Sequence, residues 1–162
     1  MANAVYLSRT KFNDLSQKLN NLKTIEFPKS RESMRVAIET GGGMHDNASY
    51  EHAAMQERVL LTQISELEQL LSKVKIIDDS DIDTTAVHIG TRVSVKNLDS
   101  NKERHYVITG AYEAGSDSNT VSYLAPLAKG LIGKKVGEIA EIQIPKGRLR
   151  LKILAIEKAN EW

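Results

Sequence analysis

Apolar residues recur at helical spacing through the first half of the chain. Phe12, Leu15, Leu19 and Leu22 follow one another at three, four and three residues, with Ser8 placed to cap the start. Pro28 interrupts this stripe. It lacks an N–H and clashes with the preceding turn, so it is expected to kink the helix or begin a new one. Met34 and Ile38 carry the apolar face on to Gly41-Gly42-Gly43, and Leu60, Ile64, Leu67, Leu71 and Val74 repeat at four, three, four and three beyond them. Two such stripes joined by a short glycine turn predict a helical hairpin packed as an antiparallel coiled coil. The glycines release the backbone from helical geometry, and Asp46-Asn47 restarts a helix through side-chain oxygens that accept from free backbone N–H groups. Asp46 is the expected cap, worth about 1 kcal/mol.

From Asp78 to Thr85 the chain is polar and aperiodic, which reads as an acidic linker over 78–85. The period then changes to two. Thr91–Val95, Arg104–Ile108, Glu138–Ile144 and Leu149–Ile153 alternate as strands, with Gly147 marking a hairpin turn between the last two. A short helix is expected over 125–133, entered through Pro126 and closed by Gly133. The predicted fold class is α+β: a coiled-coil hairpin at 1–77, the linker, and a small antiparallel β domain with one short helix at 86–162. No internal repeat and no low-complexity tract is visible.

Composition changes this picture in two ways. A net charge of +1 conceals regional asymmetry: residues 5–38 carry seven Lys/Arg against three acids, and residues 129–152 carry seven against two. The stripe Arg9, Lys11, Lys18, Lys23, Lys29, Arg31 and Arg35 is either a solvated face or an attractor of nucleic-acid phosphate, DNA included. The absence of cysteine excludes disulfides and thiolate chemistry. No signal-peptide pattern and no apolar run of membrane-spanning length is found, so a cytoplasmic protein with no membrane association is expected.

Candidate chemistry is sparse. No glycine-rich phosphate loop or nucleophile elbow occurs, so an autonomous active site has nothing to be built from and the protein is not expected to be an enzyme in its own right. His45 and His52 flank Asp46, but with Cys absent they are too few for a closed zinc site. Glu39 and Glu51 read as solvated helix residues. What remains is a carboxylate, Asp46, at the far end of a long stalk, placed for delivery into another protein's active site.

Three stretches carry a family resemblance. The tip Gly-x-x-x-Asp46-Asn47-Ala48-x-Tyr50-x-x-Ala53-Ala54, the segment Ser122–Lys134 (Ser-Tyr-Leu-Ala-Pro-Leu-Ala-Lys-Gly-Leu-Ile-Gly-Lys) and the opening Tyr6–Leu22 resemble, in order, motifs of the Gre family of bacterial transcript-cleavage (elongation) factors. The resemblance implies a coiled coil that enters the secondary channel of RNA polymerase and an FKBP-like C-terminal domain that docks outside it. It implies that Asp46 helps hold a Mg²⁺ ion in the polymerase active site, where backtracked RNA is hydrolysed at its 3′ end. On this reading the factor has no cofactor of its own, is a monomer when free, and has polymerase core and the nascent RNA 3′ end as partners. Asn47, Tyr50, Pro126, Lys129, Leu131, Gly133 and Lys134 are the implied partner-binding residues, and Arg31 and Arg35 lie near nucleic acid.

The resemblance is incomplete at the tip. Gly43 stands where the family has its first acid and Ser49 where it has its third, with one glycine more than the family between Pro28 and the tip. Loss of a carboxylate weakens capture of a hard cation. A channel-binding regulator lacking cleavage stimulation, an inhibitor, is therefore a rival. An FKBP-like isomerase or chaperone and a plain scaffolding coiled coil are more distant ones. On the first reading, Gly43→Asp is expected to raise stimulation.

Overall fold

The computed structural model describes residues 4–115, 117–160 and Trp162. The chain forms two compact units, Phe12–Val74 and Lys75–Trp162, the second also taking in residues 4–11. The mixed α+β class expected from the two periodicities is observed.

In the helical unit, α1 (Arg9–Asn21) runs through a π-helical turn (Leu22–Glu26) into α2 (Phe27–Gly41), and α3 (Ala48–Leu71) packs back against α2. Ser8 caps α1 as expected, its Oγ accepting from the Lys11 N–H at 3.1 Å. Pro28 does not end the helix: the backbone stays helical from α1 through the π turn, and Pro28 stands in the first turn of α2 just past it. The preceding π turn, in which Phe27 N–H bonds to the Leu22 carbonyl, inserts one extra residue. That insertion rotates the buried stripe. It passes from Leu22 to Ser30, Met34 and Ala37, and Ile38, expected on the inner face, is 36% exposed instead. On α3 the inner positions Ala53, Leu60, Ile64, Leu67 and Leu71 keep the heptad rhythm.

The second unit contains two sheets. A two-stranded sheet pairs β1 (Val5–Ser8) with β2 (Val74–Ile77), neither of which the sequence pattern announced. A five-stranded sheet has the order β5-β4-β3-β7-β6, with β3 (Thr91–Asn97), β4 (Glu103–Thr109), β5 (Thr120–Ser122), β6 (Ile139–Ile144) and β7 (Gly147–Lys158). All its pairings are antiparallel except β4 with β5, so the expected all-antiparallel domain is corrected at that edge. β7 is far longer than expected because it pairs with both β6 and β3, passing a register shift at Ser94/Val95. Alternation puts Val93, Val95, Tyr106, Ile108, Ala140, Ile142, Leu151 and Ile153 on the inner face, closed by Ala128 and Leu131 of α4 (Pro126–Leu131).

The division expected at 77 and 86 is therefore displaced. Asp78 is no free linker residue: it accepts two hydrogen bonds from Arg9, each 2.6 Å, and caps a 3₁₀ turn at Asp79–Asp81. Asp79 accepts from the indole N–H of Trp162 at 3.3 Å. β1 is fastened to this unit by Ala111 N–H bonding to the Tyr6 carbonyl at 2.9 Å and by the Tyr6 ring standing edge-on to Tyr123 at 5.7 Å. Among the described residues no helix is long and apolar enough to cross a membrane.

Two outcomes follow from this packing. A Cβ at Gly130 falls 2.4 Å from Ile142 Cγ1, so α4 rests on β6 with no room for a methyl group. Gly130→Ala should destabilise this unit by about 1–3 kcal/mol despite the better helix propensity of alanine. Trp162, the single tryptophan, reports the transition by fluorescence in urea. Arg9 holds the Asp78 carboxyl below its ordinary range, chiefly through the hydrogen bonds it donates. A carboxyl depressed in the folded state stabilises above its unfolded value and loses that contribution as pH falls through the folded one. Asp78→Asn should thus narrow the difference between neutral and acid stability, and added salt should shrink the effect, because the pair is exposed.

Candidate functional site

The glycine turn is built from both helix ends. Gly42 takes the left-handed conformation that terminates α2, at φ 80° and ψ 19°, and Gly43 follows at φ 119° with its N–H bonded to the Ile38 carbonyl at 3.2 Å. Met44, His45 and Asp46 are exposed. Asp46 has φ 52°, a left-handed position that Asp and Asn tolerate better than most side chains.

Asp46 does not cap α3. The cap is Asn47, whose Oδ1 accepts from the Tyr50 N–H at 3.1 Å. Its Nδ2 donates to two carbonyls, Ala37 and Gly43, each at 2.8 Å. Both donors and the acceptor of the side chain are thus engaged, and the residue is only 6% exposed. Each such bond is worth about 1 kcal/mol, and leaving the carbonyls unpaired costs more. Asn47, expected to meet a partner, faces inward instead. Tyr50 is half-buried. Freed from capping, the Asp46 carboxylate is the exposed acid of the turn.

The same geometry bears on the missing acid. A Cβ at Gly43 meets nothing within 4 Å, yet a backbone at φ 119° is one that side-chain-bearing residues rarely adopt. The expected gain from Gly43→Asp is therefore corrected to a strained turn. Met44 is 58% exposed and outside the left-handed region, so a carboxylate there meets no backbone strain.

The basic stripe is partly neutralised by its own chain. Arg9 pairs with Asp78 at 2.6 Å and Lys23 with Glu68 at 2.5 Å. Arg35 is bracketed by Glu32, at 2.5 Å, and Glu39. The two carboxylates hold that guanidinium still more firmly protonated, while Arg35 lowers the Glu32 carboxyl. Arg31 lies over the Phe27 ring, 5.7 Å from its centre, and its charge is engaged by no carboxylate among the described residues. Of the two arginines expected near nucleic acid, Arg31 is the available one.

The C-terminal segment divides in the same way. Pro126 and Lys129 are exposed on α4, whereas Leu131 is fully buried in the core and presents no side chain outward. Gly133, at φ 85°, turns the chain after α4, and its N–H bonds to the Val87 carbonyl at 2.8 Å. The Lys134 carbonyl accepts from Val87 N–H at 2.8 Å. Leu131 thus belongs to the core, whereas Gly133 is exposed and shapes the segment through its backbone. Leu124, 50% exposed beside Pro126, was not singled out by sequence reasoning, although an apolar residue before a helix-starting proline is a readable signal.

The aromatics of this unit are dispersed. Tyr106 is buried in the sheet, Tyr112 is 66% exposed, Tyr123 packs on Tyr6, and Trp162 bonds to Asp79. They do not converge on the aromatic-lined pocket that a prolyl isomerase uses.

Both parts of the chain match known proteins. Residues 5–76 match the family model described as "Transcription elongation factor, N-terminal", and residues 72–158 match "Transcription elongation factor, GreA/GreB, C-term". The chain is 37% identical over 157 residues to the transcription elongation factor GreA of Chloroherpeton thalassium, covering 97% of this chain and 99% of that one. It is 33% identical over 156 residues to GreA of Christiangramia forsetii, covering 96% and 98%. Among solved structures it is similar to GreA factor homolog 1 (Gfh1) of Thermus thermophilus, at 21% identity and a TM-score of 0.45, covering 96% and 99%. Both halves of the chain, in order and over nearly its full length, thus carry the same signature, and the protein belongs to the GreA/GreB family of transcription elongation factors.

Proposed function

We propose that this protein binds RNA polymerase in the cytoplasm, as a single copy, and assists the polymerase's own cleavage of backtracked RNA by presenting Asp46 at the tip of the α2–α3 hairpin. Family membership supports the partner. The observation that carries the chemical role is the exposed carboxylate of Asp46 in a turn whose capping work is done entirely by Asn47. The hydrolysis belongs to the polymerase, and this chain contributes a charge and its position.

A magnesium ion takes about six oxygen ligands in near-octahedral geometry. Asp46 offers one carboxylate, and among the described residues no cluster of three or more His, Cys, Asp or Glu is arranged to hold a metal. The tip fits a shared site in which the polymerase supplies most ligands, with Asp46 as the contributed one. A dication bound there polarises phosphate and favours ionisation of a water. The nascent RNA 3′ end is the substrate class. Docking outside the channel falls to the exposed surface around Leu124, Pro126 and Lys129.

The backbone at Gly43 favours one second reading: a channel-occupying regulator with weak metal capture, since an acid at that position strains the turn. A cleavage assay on stalled elongation complexes at limiting Mg²⁺ separates the two. Asp46→Asn keeps the left-handed backbone, because Asn tolerates it as well, and leaves the Asn47 cap untouched. It should abolish stimulation by the parent protein without loss of polymerase binding. Met44→Asp should raise stimulation. A parent that occupies the polymerase but stimulates nothing, while Met44→Asp does stimulate, establishes the regulator instead. Cleavage by Asp46→Asn at the parent rate removes Asp46 from the chemistry.

The stripe gives a separate outcome. Arg31→Glu should weaken polymerase binding more at low salt than at high salt, as expected for an unpaired cation near phosphate. Arg35→Gln, which removes a cation already engaged by Glu32 and Glu39, should weaken binding less than Arg31→Gln does at low salt.

A further inference from the structure

We infer that Asn47 is a positioning residue for Asp46, and that Gly41 is the residue that makes room for it. This inference rests on the role proposed for Asp46. Capping alone does not require asparagine: Ser, Thr and Asp accept from the third N–H of a helix about as well. What only the carboxamide supplies is a donor group, and here both of its hydrogens are used. Nδ2 bonds to the Ala37 carbonyl, one turn before the end of α2, and to the Gly43 carbonyl inside the turn. One side chain thereby ties the outgoing helix, the glycine turn and the first turn of α3 to a common point.

The consequence for Asp46 is geometric. It is the residue directly before Asn47, and the Nδ2–Gly43 bond closes a short ring around Met44, His45 and Asp46. With both ends of that ring held, the peptide planes on either side of Asp46 are fixed, and its φ of 52° follows. Without the clamp the turn inherits the freedom of three consecutive glycines, and the carboxylate is spread over many directions. Gly41 completes the arrangement. A Cβ there falls 2.1 Å from Asn47 Nδ2, so any side chain displaces the amide. A glycine within the last turn of α2 is otherwise a loss relative to alanine, and the contact explains why this position carries one.

Three variants test this. Asn47→Ser keeps a capping oxygen and removes the donor. Asn47→Asp keeps the cap and sets carboxylate oxygen against the carbonyls of Ala37 and Gly43. Gly41→Ala leaves Asn47 in place and displaces it sterically. In the free protein, backbone carbon shifts of Asp46 by NMR should show the left-handed signature in the parent and lose it in all three, while α3 helicity persists. In the cleavage assay all three should lose about tenfold or more of the stimulation at unchanged polymerase affinity, since a misplacement of about 1 Å can cost about 100-fold. A merely structural role predicts instead that helix content and affinity fall together with activity. Retention of the left-handed signature in Asn47→Ser and Asn47→Asp overturns the inference, as does full activity with the signature lost. A parent that stimulates no cleavage, with the Asp46 signature still lost in the variants, overturns the role of Asp46 and leaves the clamp standing.

Discussion

A side-chain carboxamide buried in a turn has two hydrogens and an oxygen to satisfy, and water is not there to help. Asn47 satisfies all three within the hairpin, on Ala37, Gly43 and Tyr50. Because the partners lie on both helices and in the turn between them, this one residue fixes where α2 stops, how the chain reverses and where α3 begins. The glycines permit the reversal, but permission is not direction: a run of glycine has no preferred turn. The amide selects one. The exposure of Met44, His45 and Asp46 at the apex, and the availability of the Asp46 carboxylate, are consequences of that selection.

The second unit has a different organising constraint. Its five strands share one buried face, and β7 is the spine that pairs with two neighbours along its length. The short helix α4 covers that face only because Gly130 lets it approach Ile142. The opening strand closes the unit through backbone bonding to Ala111 and ring packing on Tyr123. The segment that resembles the family signature therefore has two faces. Leu131 fills the core and Gly133 turns the exposed chain after it, while Leu124, Pro126 and Lys129 stay on the surface.

Charge follows the same division between internal and available groups. Arg9, Lys23 and Arg35 are bound to carboxylates of the chain itself, which blunts the basic stripe as an electrostatic feature. These pairs are exposed and individually weak, so their effect is on which cations remain free rather than on stability. Among the described residues Lys11, Lys18, Lys29 and Arg31 make no ion pair, and Arg31 rests its planar group on Phe27.

The helical hairpin, the change of period after residue 85, four of the strands and the short helix after Pro126 were legible in the sequence, because each rests on local periodicity or on the stereochemistry of Gly and Pro. So were the three stretches that resemble the family. The strands β1, β2 and β5 were not, since four or three residues carry no resolvable period and exist only through their partners. The rotation of the α2 stripe from Ile38 to Ala37 depended on a π turn that adds one residue, invisible to a heptad count. Which member of Asp46-Asn47 caps the helix was likewise undecidable locally, because both cap well in isolation. The choice was made by the tertiary contact: two carbonyls across the turn require a donor, and asparagine has one where aspartate has none.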